Sequence, residues 1–88
     1  MRGNPPNRLA ARNNAKTRIS MERDRQVELW GEGSFEPDVR LAILIEEVGE
    51  VGKAINESEG DVRLLEEVVQ VAAVALRWAE NLLLEMKR

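Results

Sequence analysis

The sequence predicts an all-α fold, on three observations. The chain of 88 residues holds only three aromatic residues, Trp30, Phe35 and Trp78. So few disfavour a β-sandwich or an aromatic-rich RNA-binding sheet. The chain is 43% apolar and 33% charged, the balance of a soluble helical protein. Apolar residues also recur at spacings of three and four through two long segments, the signature of helices with one buried face.

Residues 1–20 carry five basic groups (Arg2, Arg8, Arg12, Lys16, Arg18) and no acid. They include Gly-Asn-Pro-Pro-Asn and Asn13-Asn14 and show no sustained apolar periodicity. They read as a basic, loosely ordered tail, with the folded domain in residues 21–88. That body carries 8 basic and 16 acidic groups, a net charge of -8. Such a body repels phosphate backbones, so a grip on nucleic acid would have to come from the tail alone. It suits cations, which can in turn hold phosphates. No apolar run reaches signal-peptide or membrane-spanning length, so no membrane partner is expected and the cytoplasm is the default compartment. There is no Cys and no His, which removes disulfides, Cys/His zinc sites, a thiol nucleophile and an imidazole base.

The first helix is expected over residues 21–30. Ser20 is the N-cap, and Glu22 and Asp24 favour the positive end. Gly31 and Gly33 end it, and a loop with Pro37 follows. The second helix is expected from residue 38 to 56 or 57, with Pro37 in the first turn, where a missing N–H costs nothing. Leu41, Leu44, Ile45, Val48, Val51 and Ile55 form its apolar stripe. Gly49 and Gly52 each cost about 1 kcal/mol relative to Ala inside a helix, and so suggest close approach by a helix or ligand. A short turn then makes the second and third helices antiparallel neighbours. Asp61 is the expected N-cap of a third helix running to about Met86. Residues 68–78 of that helix are apolar on nearly every side, which predicts burial on more than one face. A body of 68 residues without disulfides has a small core. Both features predict oligomerisation into a four-helix-bundle type of core, as a homodimer or homotetramer.

Carboxylates carry the candidate chemistry. Glu46-Glu47-Val48-Gly49-Glu50 lies on the second helix and Glu66-Glu67-Val68-Val69-Gln70 on the third. Glu47 with Glu50, and Glu67 with Gln70, are spaced i,i+3 and share a helix face. On antiparallel neighbours the two faces converge on an all-oxygen site suited to Mg²⁺ or Mn²⁺. Unpaired buried charges are costly, and a cation compensates them. The same spacing rule offers a simpler fate: Lys53 can pair with Glu50 or Glu57, and Arg63 with Glu66 or Glu67.

With sixteen residues between its two acidic parts, this pattern resembles the MazG-like nucleotide pyrophosphohydrolases, whose signature is EExxE, a spacer, then ExxD. Gln26-Val-Glu-Leu-Trp30, the glycine-containing loop and Arg40-Leu-Ala are also similar. The resemblance covers roughly residues 21–84. It implies an all-α protein that assembles as dimers or tetramers. It implies Mg²⁺-dependent hydrolysis of a nucleoside triphosphate, often a deoxynucleotide or a damaged one, to monophosphate and pyrophosphate. By position Glu47, Glu50 and Glu67 are the implied metal ligands. Gln26 and Trp30 lie near base or sugar, and Lys53 and Arg77 near phosphate. For Arg77 an ion pair with Glu80 or with a partner chain is an equal alternative. Glu46 or Glu50 is the candidate general base.

One residue departs from the pattern: Gln70 stands where the family has Asp. An amide oxygen ligates a hard cation but brings no charge, so metal affinity and catalysis are expected to suffer more than the fold. Two functions follow. One is a house-cleaning nucleotide pyrophosphohydrolase. The other is a nucleotide- or cation-binding module with weakened catalysis.

Overall fold

A computed structural model describes residues 5–33 and 35–87. Among the described residues it holds three α-helices and no strand: α1 (Pro5–Trp30), α2 (Pro37–Asn56) and α3 (Asp61–Met86). α1 and α2 each pack against α3 and not against one another, so α3 is the central element.

The helix expected to begin at residue 21 begins at Pro5 instead, and Ser20 lies inside it rather than capping it. The expected loose tail over residues 1–20 is thus helical from residue 5, and residues 1–4 lie outside the described residues. The cause is propensity without burial. Arg8, Leu9, Ala10, Ala11, Arg12, Ala15 and Lys16 are strong helix formers, and Pro5 and Pro6 occupy the first turn. The two asparagines, read as turn residues, bond along the helix. Asn14 Oδ1 accepts from Arg18 Nε at 2.6 Å, and the Asn13 carbonyl accepts from the Thr17 hydroxyl at 3.0 Å. Most of this segment is exposed, so it shows no apolar stripe. α1 ends as expected. Gly31 takes a left-handed φ of 84° and donates its N–H to the Val27 carbonyl at 2.7 Å.

α2 starts at Pro37, with Asp38 Oδ1 accepting from the Val39 N–H at 2.9 Å. α3 starts at Asp61 itself. The capping position is Gly60, at φ 94°, one residue earlier than expected, and no side chain caps it. Glu47 meets Gln70, and Arg40 senses the charge of Arg77, so α2 and α3 run antiparallel as the short turn required.

The core is small and partly polar. Its buried apolar residues are Ala54, Val69, Ala73 and Val74, while Gln26, Arg40, Glu67 and Arg77 are buried as deeply. α3 is covered on two sides, by α1 and α2, yet Leu65, Val68 and Leu76 stay exposed along a third strip. On α2, Leu41, Ile45, Val48 and Ile55 are also exposed. Among the described residues nothing lies within 4 Å of where a Cβ would stand on Gly49 or Gly52, contrary to the close contact their positions suggested. The accessible surface is 6549 Å², about 1,300 Å² more than a folded monomer of this mass presents. The radius of gyration is 14.9 Å, where a compact domain of this length has about 12 Å.

Candidate functional site

α2 and α3 cross where their motif residues meet. Glu67 is 2% exposed, and Glu47 is half-buried opposite it. Gln70 lies one turn after Glu67 and bridges the two. With its amide oriented to satisfy both groups, Nε2 donates to Glu67 Oε1 and to Glu47 Oε1, each at 3.2 Å. Arg63 lies one turn before Glu67, with Nη2 2.6 Å from Glu67 Oε2. The same guanidinium reaches Glu66 at 3.2 Å and Glu59 at 3.5 Å. The buried carboxylate is therefore compensated from both sides along its own helix, by a cation and by an amide.

α1 adds a further carboxylate. Glu22 accepts two bonds from Arg25, both at 2.8 Å, and one from Gln26 Nε2 at 3.2 Å. The Arg25 bonds lead in holding its carboxyl below the usual range, against the opposing effect of burial. Glu47 behaves oppositely. Burial pushes its pKa up, and the charges of Glu67, Glu46, Glu50 and Glu22 push it further. Negative charge is thus concentrated at Glu47, which makes no salt bridge among the described residues, although Arg25 feels its charge. Among the described residues, however, no three carboxylates stand close enough to form a ready cation cage. The bridging amide occupies the space between Glu47 and Glu67 instead.

The other sequence-predicted residues fall in several places. Glu50 is exposed, and it acts on Glu47 through charge without joining the bridge. Glu46 lies with Asp38 and Ala42 in a shallow depression on the outer side of α2. Lys53 is exposed and, among the described residues, pairs with neither Glu50 nor Glu57. Gln26 is 2% exposed and turned onto Glu22, with its Oε1 unpartnered. Trp30 is half exposed at the end of α1. Arg77 is buried and donates through Nη2 to the carbonyls of Gly31 and Gly33. It makes no pair with Glu80, because Arg23 takes that carboxylate at 2.6 Å. Seven residues of helix, about 10 Å of rise, separate Arg77 from Gln70.

Sequence reasoning passed over Glu22 and Arg25 as site residues, and over the groove beside them. Between α1 and α3 runs a groove of about 1150 Å³ that reaches Gln70. Met21, Val62, Leu65 and Val69 give it an apolar floor, and Arg18 and Arg25 line its α1 side. The signal was available: Glu22, Gln26 and Trp30 repeat at i,i+4 and share one face. The tail assignment concealed the rest.

Comparison with protein-family models, with curated proteins and with solved structures finds no match. The functional reading therefore rests on the residues and their geometry.

Proposed function

We propose that this chain is a Mg²⁺-dependent nucleoside triphosphate pyrophosphohydrolase of the MazG-like kind, working as a homodimer or homotetramer. One observation carries the reading: α2 and α3 bring Glu47, Glu67 and Gln70 together, as the two-part acidic motif requires. The fit to a divalent cation is favoured by the crowding of negative charge on Glu47. The residues that would hold the ion are Glu47, Glu67, Glu50 and Gln70, with Mn²⁺ as an alternative ion. Bound Mg²⁺ supplies charge neutralisation for the triphosphate and acidifies water.

Gln70 has two usable ends. Its Nε2 bridges the carboxylates, and turned over, its Oε1 would be a neutral ligand. Glu50, exposed one turn from Glu47, would accept the proton of the attacking water; Glu46 lies in a depression on the outer side of α2 and suits this role less. The groove floor of Met21, Val62, Leu65 and Val69 suits a base or sugar, and Arg18 and Arg25 suit phosphates. It lies apart from exposed Trp30.

Assembly is supported by the exposed apolar strips of α2 and α3 and by the excess surface. About 1,300 Å² per protomer lies within the range that obligate homodimers bury. A second reading, a nucleotide- or cation-binding module with weak catalysis, is favoured by one observation: Gln70 and Arg63 already compensate Glu67 without any ion. Pyrophosphate release from a panel of ordinary and modified nucleoside triphosphates, with and without Mg²⁺, separates the two. Mg²⁺-dependent release supports the enzyme. Binding without turnover across the panel supports the module.

A further inference from the structure

Two turns along from the carboxylate bridge, α2 and α3 carry a cluster of opposite chemistry. Arg40 is 3% exposed and Arg77 1%. Among the described residues neither has a carboxylate partner. Among the described residues their acceptors are backbone carbonyls of the α1–α2 loop. Arg77 Nη2 donates to Gly31 and Gly33, and Arg40 Nη2 donates to Gly33 at 3.3 Å. The remaining buried donors are unspent: Arg40 Nε, Arg77 Nε and Nη1, and Nδ2 of Asn81, one turn beyond Arg77. Arg40 and Asn81 line a recess of about 260 Å³ walled by Phe35, Pro37 and Trp78. The Arg40 guanidinium lies 4.9 Å from the Phe35 ring centre. Glu36 and Glu85 also line the recess, and both are exposed and unpaired with the arginines.

Buried like charges repel, and burial removes the water that would screen them. Both effects act on Arg40, where burial, followed by the charge of Arg77, lowers the pKa. Water can satisfy the leftover N–H groups but cannot neutralise two guanidinium charges. An oxyanion does both, and its several acceptor oxygens match donors arriving from two helices. The recess holds several times the roughly 30 Å³ share of one water.

We propose that this recess is a binding site for a phosphoryl oxyanion, held by Arg40 and Asn81, which line it, with the buried charge of Arg77 beside Arg40 adding to the attraction. The site is independent of the divalent-cation reading, so it is tested on the full chain in EDTA, without nucleoside triphosphate. Thermal unfolding is followed against inorganic phosphate, a nucleoside monophosphate and acetate, with chloride holding ionic strength constant. A saturable rise on the order of 5–10 °C at tenfold excess over Kd is expected. A response to phosphate alone assigns a free oxyanion; a response confined to the monophosphate assigns the phosphate of a nucleotide. Asn81→Asp supplies an internal anion of the same shape. It should raise the melting temperature in chloride and abolish the response. Three results overturn the proposal. These are a wild type indifferent to both phosphates, a stronger response to acetate, and an Asn81→Asp variant that responds like wild type, which would mark a general salt effect.

Discussion

Replacing Gln70 with Glu changes one NH₂ group to an oxygen and keeps the side chain's length. It removes two hydrogen bonds to charged acceptors, both at 3.2 Å. Such bonds contribute about 1.5–3 kcal/mol each. It also sets a third carboxylate between Glu47 and Glu67. Protonation limits the damage. Moving a carboxyl from its ordinary pKa of about 4.3 to neutral form at pH 7 costs about 3.7 kcal/mol. Glu47 is only half-buried, so the loss should be about 3 kcal/mol. At about 4–8 °C per kcal/mol for a domain of this size, the melting temperature should fall by about 12–24 °C in EDTA. Mg²⁺ should recover much of that fall, because an ion replaces the lost donor. Circular dichroism at 222 nm, with and without Mg²⁺, reads both effects. A variant that melts like wild type in EDTA and ignores Mg²⁺ would refute the bridge.

Three further expectations follow from the same geometry. Gln70→Asp restores the fourth charge, so pyrophosphate release should rise above wild type in Mg²⁺; unchanged or lower turnover counts against a charge deficit. In EDTA, the contribution of Glu47 is present at low pH and is lost as pH rises through its elevated pKa. Glu47→Gln should therefore melt above wild type at neutral pH, with the gap closing on acidification. A gap that widens in acid would reverse the sign and contradict the crowding. Ile45 is 61% exposed in the protomer, so Ile45→Glu would be nearly silent in a monomer. Under the proposed assembly it should shift the sedimentation coefficient to that of a single chain, and an unshifted oligomer would exclude this strip as the interface.

α2 and α3 were legible because each is bounded by strong local chemistry. Pro37 opens one, a short turn separates them, and apolar spacing of three and four runs through both. Glu47, Glu67 and Gln70 meet as that spacing and antiparallel packing required, whereas Glu50, expected with them, stays exposed outside the bridge. The first half of α1 was not legible, because its helicity comes from Ala, Arg, Leu and Lys rather than from an apolar face. Its two asparagines act as local bonding partners, where turn statistics suggested breaks. Nor was the burial of Arg40 and Arg77 legible. Apolar windows forecast apolar burial, whereas these arginines are drawn inward by carbonyls of the α1–α2 loop, seven residues from Arg40 and more than forty from Arg77. Among the described residues Gly49 and Gly52 face open space, so the close approach their positions suggested is not made within the chain.

The central proposal is that Glu47, Glu50, Glu67 and Gln70 hold a divalent cation. The direct measurement is a Mn²⁺ titration followed by electron paramagnetic resonance, where free ion is distinguished from bound. Saturable binding to the wild-type chain, displaced by Mg²⁺ and lost in both Glu47→Gln and Glu67→Gln, is the predicted result. Binding that survives both substitutions, or no binding by the folded wild type, contradicts the account.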